Sequence, residues 1–209
     1  LLVSGYEIPY EPNKWNDAPP GSDPDKDRNT PLYVQHQANC YAYALNLQRY
    51  PLADAKGNYA SFPLDVKRAP GKHGRGLEPG ELYSYHENLN EILVTYGIPE
   101  DLTYRAKLDA EHMNFIFEKV NREDVCSENT YKVALVSQEI PDGDYHWYRQ
   151  NPDGTWSHKP GLGEVTNKDF AGKIIYDPAE SCTGIYTGKV YYFKVEQIPD
   201  GMYDERLVV

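Results

Sequence analysis

Cysteine is scarce: the chain holds three, Cys40, Cys126 and Cys182. So small and odd a number excludes a disulfide framework. It leaves room for one pair and one thiol, and Cys126 with Cys182 is the pair to expect. No run approaches the roughly 18 apolar residues that a membrane helix needs, so no membrane span is expected. Basic residues are in deficit, 21 Lys and Arg against 32 Asp and Glu, for a net charge of −11. That deficit excludes nucleic-acid backbone binding as the main task. The one basic concentration, Lys67, Arg68, Lys72, His73 and Arg75, falls in a Gly/Pro-rich stretch and reads as a solvated loop. Close-spaced metal-ligand pairs are missing too. His36, Cys40, His146 and His158 form the one conceivable zinc set, but without such a pair neither a metal nor another cofactor is expected.

What is present is enough to fold. Of the 209 residues 40% are hydrophobic, which excludes global disorder and suits a single domain. Tyrosine is abundant, 19 against 5 phenylalanines, and its ring with a polar tip suits clefts and binding faces. The chain opens Leu1-Leu2-Val3 and reads as processed or cut from a larger chain. No leader pattern is visible, and a secreted or surface-associated location is favoured over the cytoplasm.

Residues 1–31 carry Pro9, Pro12, Pro19, Pro20, Pro24 and Pro31 and read as an extended arm, with Tyr6, Ile8, Tyr10 and Trp15 able to pin it to the body. Tyr41 to Tyr50 predicts a helix with Asn39 as N-cap. Residues 51–80 predict a long loop. Leu82, Tyr85, Leu89, Ile92, Leu93 and Tyr96 fall at helical spacing before a stop at Gly97 and Pro99. A shorter helix is expected from Ala110 to Val120, capped by Asp109, with Met113, Ile116, Phe117 and Val120 inward. Strands are expected at Tyr131–Ser137, Asp144–Gln150, Thr155–Lys159, Ile174–Tyr176 and Val190–Val195. Helices followed by an antiparallel sheet of four or five strands give an α+β layout.

The informative constellation is Asn39-Cys40 at a helix start and, about a hundred residues later, His146 at the head of a hairpin. A helix N-terminus favours thiolate, and a nearby imidazole can take and return the proton. Asn151-Pro152-Asp153-Gly154 signals the turn. With Gly154 left-handed, Asn151 pairs with Thr155 and His158 lies opposite Tyr148 and diagonal to His146. His158 is therefore the expected orienting group, with Asp144, Gln150 and Asp177 as alternatives. Plainer roles stand beside these: a small core residue for Cys40, and cross-strand packing for His146 among Tyr145, Trp147 and Tyr148. Cys126, among Glu123, Asp124 and Glu128, is a poor nucleophile.

Cysteine at a helix start, histidine heading a strand and a polar residue on the next strand resemble the papain-like thiol hydrolase superfamily. Within it, the order and spacing of His146 and His158 are similar to the compact NlpC-type and CHAP-type hydrolases. The resemblance covers residues 33–50 and 131–178. It lacks the Asp-Cys-Ser-Gly run of the NlpC-type branch and the Gln-Gly-x-Cys-Gly-x-Cys-Trp run of papain itself. It implies a single papain-like catalytic domain over residues 32–209 with a long insertion at 51–125, in which the nucleophile helix packs on the sheet.

The implied activity is cysteine-dependent hydrolysis of an amide in a protein peptide or a peptidoglycan stem. Cys40 would attack, His146 act as base and then acid, and His158 orient it. Oxyanion candidates are Gln35, Gln37 and Asn39, with Gln150 a further orienting candidate; Tyr41, Trp147, Tyr148 and Trp156 are candidates to line a substrate groove. The same site suits glutamine deamidation or transglutaminase-type transfer. The reading from another class is a non-catalytic binding module with a tyrosine-rich surface.

Overall fold

The computed structural model describes residues 2–23, 33–36, 38–48, 79, 97–141 and 143–197. The helix expected before Gly97, the basic cluster and Gln37 lie outside them. Tyr131-Lys-Val-Ala-Leu-Val-Ser carries no polar alternation, as a strand covered on both faces should not. It belongs to β2 (Thr130–Ser137), buried at every position and central in a five-stranded antiparallel sheet. With β1 (Phe117–Val120), β3 (Tyr145–Gln150), β4 (Trp156–His158) and β5 (Tyr191–Glu196), the order is β1-β5-β2-β3-β4. The α+β expectation therefore holds at the level of a mixed domain with one antiparallel sheet.

Two helices are described, and both differ from expectation at their ends. Helix α1 (Cys40–Ala44) is one turn and a half, because Asn46 takes the left-handed conformation at φ 59°. Asn46 N–H then donates to Tyr43 O and Leu47 N–H to Ala42 O, at 3.1 and 2.8 Å. This is the Schellman stop, with Asn in place of glycine. Helix α2 (Pro99–Met113) begins at the proline expected to end a helix. Proline suits the first helical position, where no intrahelical N–H is needed. The helix expected at Ala110–Val120 is corrected accordingly. Asn114 ends α2 in the left-handed conformation, Ile116 is exposed, and Phe117 starts a strand. Asp109 is no cap but a buried mid-helix carboxylate that accepts from Tyr41 Oη at 2.8 Å. Ile174 and Ile175 make isolated bridges rather than a strand.

The sheet divides two apolar clusters. On one face α1, α2 and the arm pack Tyr41, Tyr43, Leu102 and Ala106 against Trp147, Val133 and Phe193. The arm is part of this core: Ile8 and Trp15 are buried in it, and the Trp15 ring meets Tyr43 edge-on at 4.9 Å. On the other face Ala134, Val136, Tyr148, Trp156 and Ile175 are covered by the irregular segment after β4.

Candidate active site

The hairpin between β3 and β4 forms in the expected register. Gly154 has φ 83°, Asn151 N–H donates to Thr155 O at 2.8 Å, and Tyr148 pairs with His158. The pleat then turns His146, Tyr148 and His158 to one face. His146 Nε2 and His158 Nδ1 lie 2.7 Å apart, and His158 Nε2 is 2.8 Å from Lys168 O. A carbonyl only accepts, so His158 carries its proton on Nε2 and offers a lone pair at Nδ1. His146 consequently donates from Nε2, and its Nδ1 is the basic nitrogen. This is the tautomer that a general base held by a neighbour requires.

Both imidazoles are 1% exposed and walled by aromatic rings. Tyr186 stacks on His146 at 5.2 Å, Tyr148 stacks on His158 at 5.0 Å, and Phe170 meets both edge-on. Phe170 in turn rests on Gly184, where an added Cβ would come within 3.2 Å of its ring. Burial, and then the charge of His158, holds His146 well below the usual imidazole value. Burial lowers His158 as well, opposed by its bond to the Lys168 carbonyl and by the charge of Asp169.

These depressions carry a stability consequence. Below about pH 6.5 the unfolded chain binds protons that the folded imidazoles refuse, so stability rises with pH across that window. It is fully present above pH 6.5 and is lost on acidification, by up to about 1.4 kcal/mol per pH unit for each imidazole. Urea midpoints at pH 7 and 5.5 should differ accordingly, and His146→Phe should shrink the difference. An equal fall in that variant would assign the acid sensitivity to other groups.

Cys40 is buried at the first residue of α1, whose N-cap Asn39 accepts from Ala42 N–H at 3.0 Å. Helix α1 packs against β3, and the β3–β4 ladder stops at Tyr148, leaving His146 at its open end. Burial raises the phenols of Tyr148 and Tyr186, the two tyrosines whose rings touch His146, and a charge on Cys40 raises both further. It acts on Lys159 too, whose pKa burial pushes down to about 7 while Cys40 and Asp17 pull it up. The Lys159 Nζ donates to the carbonyls of Gln35, Gly161 and Gly163 at 2.7, 3.3 and 2.8 Å. It ties the segment before Cys40 to the segment after β4.

Other expected site residues fall elsewhere. Trp147 and Tyr41 are enclosed in the main core, on the opposite face from His146, because the strand alternates. Trp156 is enclosed in the second cluster, so none of these three presents a groove surface. Tyr148 is buried as well, but its hydroxyl has no hydrogen-bond partner among the described residues. Gln150 shares the His146 face but stands four residues along, roughly 13 Å at strand rise, too far to orient it. Asp144 binds Tyr186 Oη at 3.2 Å, and Asp177 pairs with Arg122 and Tyr192. Gln35 gives its carbonyl to Lys159, and its buried side-chain oxygen has no partner among the described residues.

The expected Cys126–Cys182 bridge is absent, and no disulfide joins any of the three cysteines. Cys182 is held at the histidine side by Asp169, which accepts its N–H at 2.9 Å. Cys126 lies near Lys132 and Glu7, with its thiol pushed up to about 11, chiefly by burial. Phe170, Tyr186 and Lys159 carry no signal in the sequence. They sit on irregular backbone or at a strand end, where no periodicity marks an inward residue.

Fold and site together define a mixed α/β domain whose antiparallel sheet carries a buried, hydrogen-bonded imidazole pair on one face and, packed in the main core on the other, the short helix that Cys40 begins. The chain is similar to "Insoluble matrix shell protein 1" of Ruditapes philippinarum, with 28% identity over 186 residues, spanning 89% of this chain and 88% of that protein. No family model and no solved structure matches it.

Proposed function

We propose that the chain is a cysteine-dependent amide hydrolase of the papain-like kind, acting through Cys40, His146 and His158. The observation that carries this reading is the directed chain from Lys168 O through His158 to His146, which leaves Nδ1 of His146 basic. On this reading the Cys40 sulfur meets that nitrogen past the end of β4. The sulfur attacks the carbonyl carbon as its proton passes to Nδ1; an S–C bond forms and the carbonyl electron pair moves to oxygen. The adduct collapses, the C–N bond breaks, and the amine leaves with the proton from His146. Water repeats the attack with His146 as base, releasing the acid and restoring the thiol. Because burial keeps His146 unprotonated below its ordinary range, activity should persist below pH 6.5. The substrate is a protein peptide or a peptidoglycan stem; an amine in place of water would make the same site a transglutaminase-type enzyme.

The test is thiol labelling at pH 6 with sub-stoichiometric iodoacetamide. Cys40 should be alkylated ahead of Cys126 and the exposed Cys182, and His146→Ala should abolish that preference. Peptidoglycan fragments and a peptide library, followed by mass, then separate cleavage from deamidation. Equal, slow labelling of all three thiols would overturn the hydrolase. It would favour a second reading supported by the likeness to a shell matrix protein, a non-catalytic extracellular matrix component. Exposed tyrosines such as Tyr104 and Tyr176 would then serve as its binding surface.

A further inference from the structure

The Tyr148 hydroxyl is an anomaly. Its residue is fully buried in the middle of a regular strand, yet the hydroxyl has no hydrogen-bond partner among the described residues. Buried polar groups are almost always paired, and one left unpaired destabilises the fold. The ring leaves little freedom to find another partner, being stacked on His158 at 5.0 Å and held edge-on to His146 at 4.9 Å. The alternation of β3 turns it to the same face as His146, two residues from it. Burial raises the phenol's pKa most, and the charges of Cys40, Asp169 and Cys182 raise it further. The phenol is thus coupled to the charge of Cys40, and its ring touches the imidazole that would serve that sulfur.

We infer that Tyr148 is a catalytic residue of this site, its hydroxyl donating a hydrogen bond to the oxyanion that forms when Cys40 attacks a carbonyl. This rests on the hydrolase reading. In the resting chain the O–H has no acceptor among the described residues. As the S–C bond forms and the electron pair moves to oxygen, that oxygen becomes the missing acceptor. The interaction exists in the adduct and not before it, which is the condition for lowering a barrier. Burial holds the phenol well above its ordinary pKa, so it stays a hydrogen-bond donor and does not itself transfer the proton.

Tyr148→Phe keeps the ring and removes the oxygen, and two probes of the whole chain read the difference. Alkylation of Cys40 by iodoacetamide displaces iodide at a saturated carbon and develops no oxyanion. Acylation by p-nitrophenyl acetate passes through one. Acylation should slow about 10²-fold in the variant, while the alkylation rate is unchanged. The variant should also be the more stable protein, its Tm raised by roughly 2–4 °C, because an unpaired buried hydroxyl is gone. A variant that acylates as fast as the parent overturns the role, and so does one in which both reactions slow equally. If Cys40 in the parent shows no preferential alkylation, the hydrolase reading itself fails. A reactive parent with an unaltered variant removes Tyr148 alone.

Discussion

A His158→Phe chain should turn over p-nitrophenyl acetate about 10³–10⁴ times more slowly than its parent. The size follows from tautomer control, since loss of the group that fixes an imidazole's proton costs that much in related catalytic arrangements. His158 Nδ1 is the acceptor of His146 Nε2 at 2.7 Å. Phenylalanine preserves the stack on Tyr148 but leaves a buried Nε2–H with nothing to receive it. Two escapes remain open to His146: moving its proton to Nδ1, which removes the base, or rotating out of its stack with Tyr186. Either reduces kcat rather than raising KM. The unpaired N–H should also cost about 1–3 kcal/mol in urea unfolding. His158→Gln, which restores an acceptor oxygen, should recover part of both losses. A His158→Phe chain with parental turnover would show that the dyad is only packing.

The second large effect concerns the arm. Trp15→Ala should destabilise the chain by about 3–5 kcal/mol, the range for removing a buried Trp side chain. Trp15 is 2% exposed and edge-on to Tyr43, and it covers Arg149, whose guanidinium lies 5.9 Å from its ring and 4.0 Å from that of Tyr43. Arg149 is completely buried. Its Nη1 donates to Tyr43 O and Asn46 Oδ1, both at 3.1 Å, while Nε and Nη2 have no partner among the described residues. Aromatic faces thus compensate a charge taken out of water, and opening one side of that enclosure should disturb the end of α1. Urea unfolding followed by tryptophan fluorescence measures the loss. Deleting residues 1–17 should abolish folding altogether; a deletion chain that still folds would show that the arm is dispensable to the core. Asp17 points the same way, because it accepts the N–H groups of Val34 and Gln35 at 3.0 and 2.9 Å, just before the cysteine helix.

The histidine hairpin was legible because Asn151-Pro-Asp-Gly154 admits few loop geometries, and each geometry decides which face His158 takes. β2 was legible from its unbroken apolar run. Helix ends were not. Pro99 is equally at home after one helix and at the first position of another, and Asn46 ends α1 through a backbone conformation that asparagine tolerates but does not announce. β1 was hidden because Phe117 and Val120 continue the helical spacing of Met113 and Ile116, so the change of period has too few residues to show. The site was legible in its floor and not in its walls. Strand register is a local property of the hairpin, whereas Phe170 and Tyr186 reach the imidazoles from segments without a repeating pattern.

Those walls hang from few points. Asp169 alone receives the N–H groups of Ala171, Lys173 and Cys182, each at 2.9 Å, and so gathers the covering segment around one carboxylate. Frame and cover are thereby separable inheritances. Insertions or exchanges between such anchors can reshape what is admitted to the imidazoles while every strand keeps its neighbour. Relatives of this chain can diverge in appetite long before they diverge in architecture.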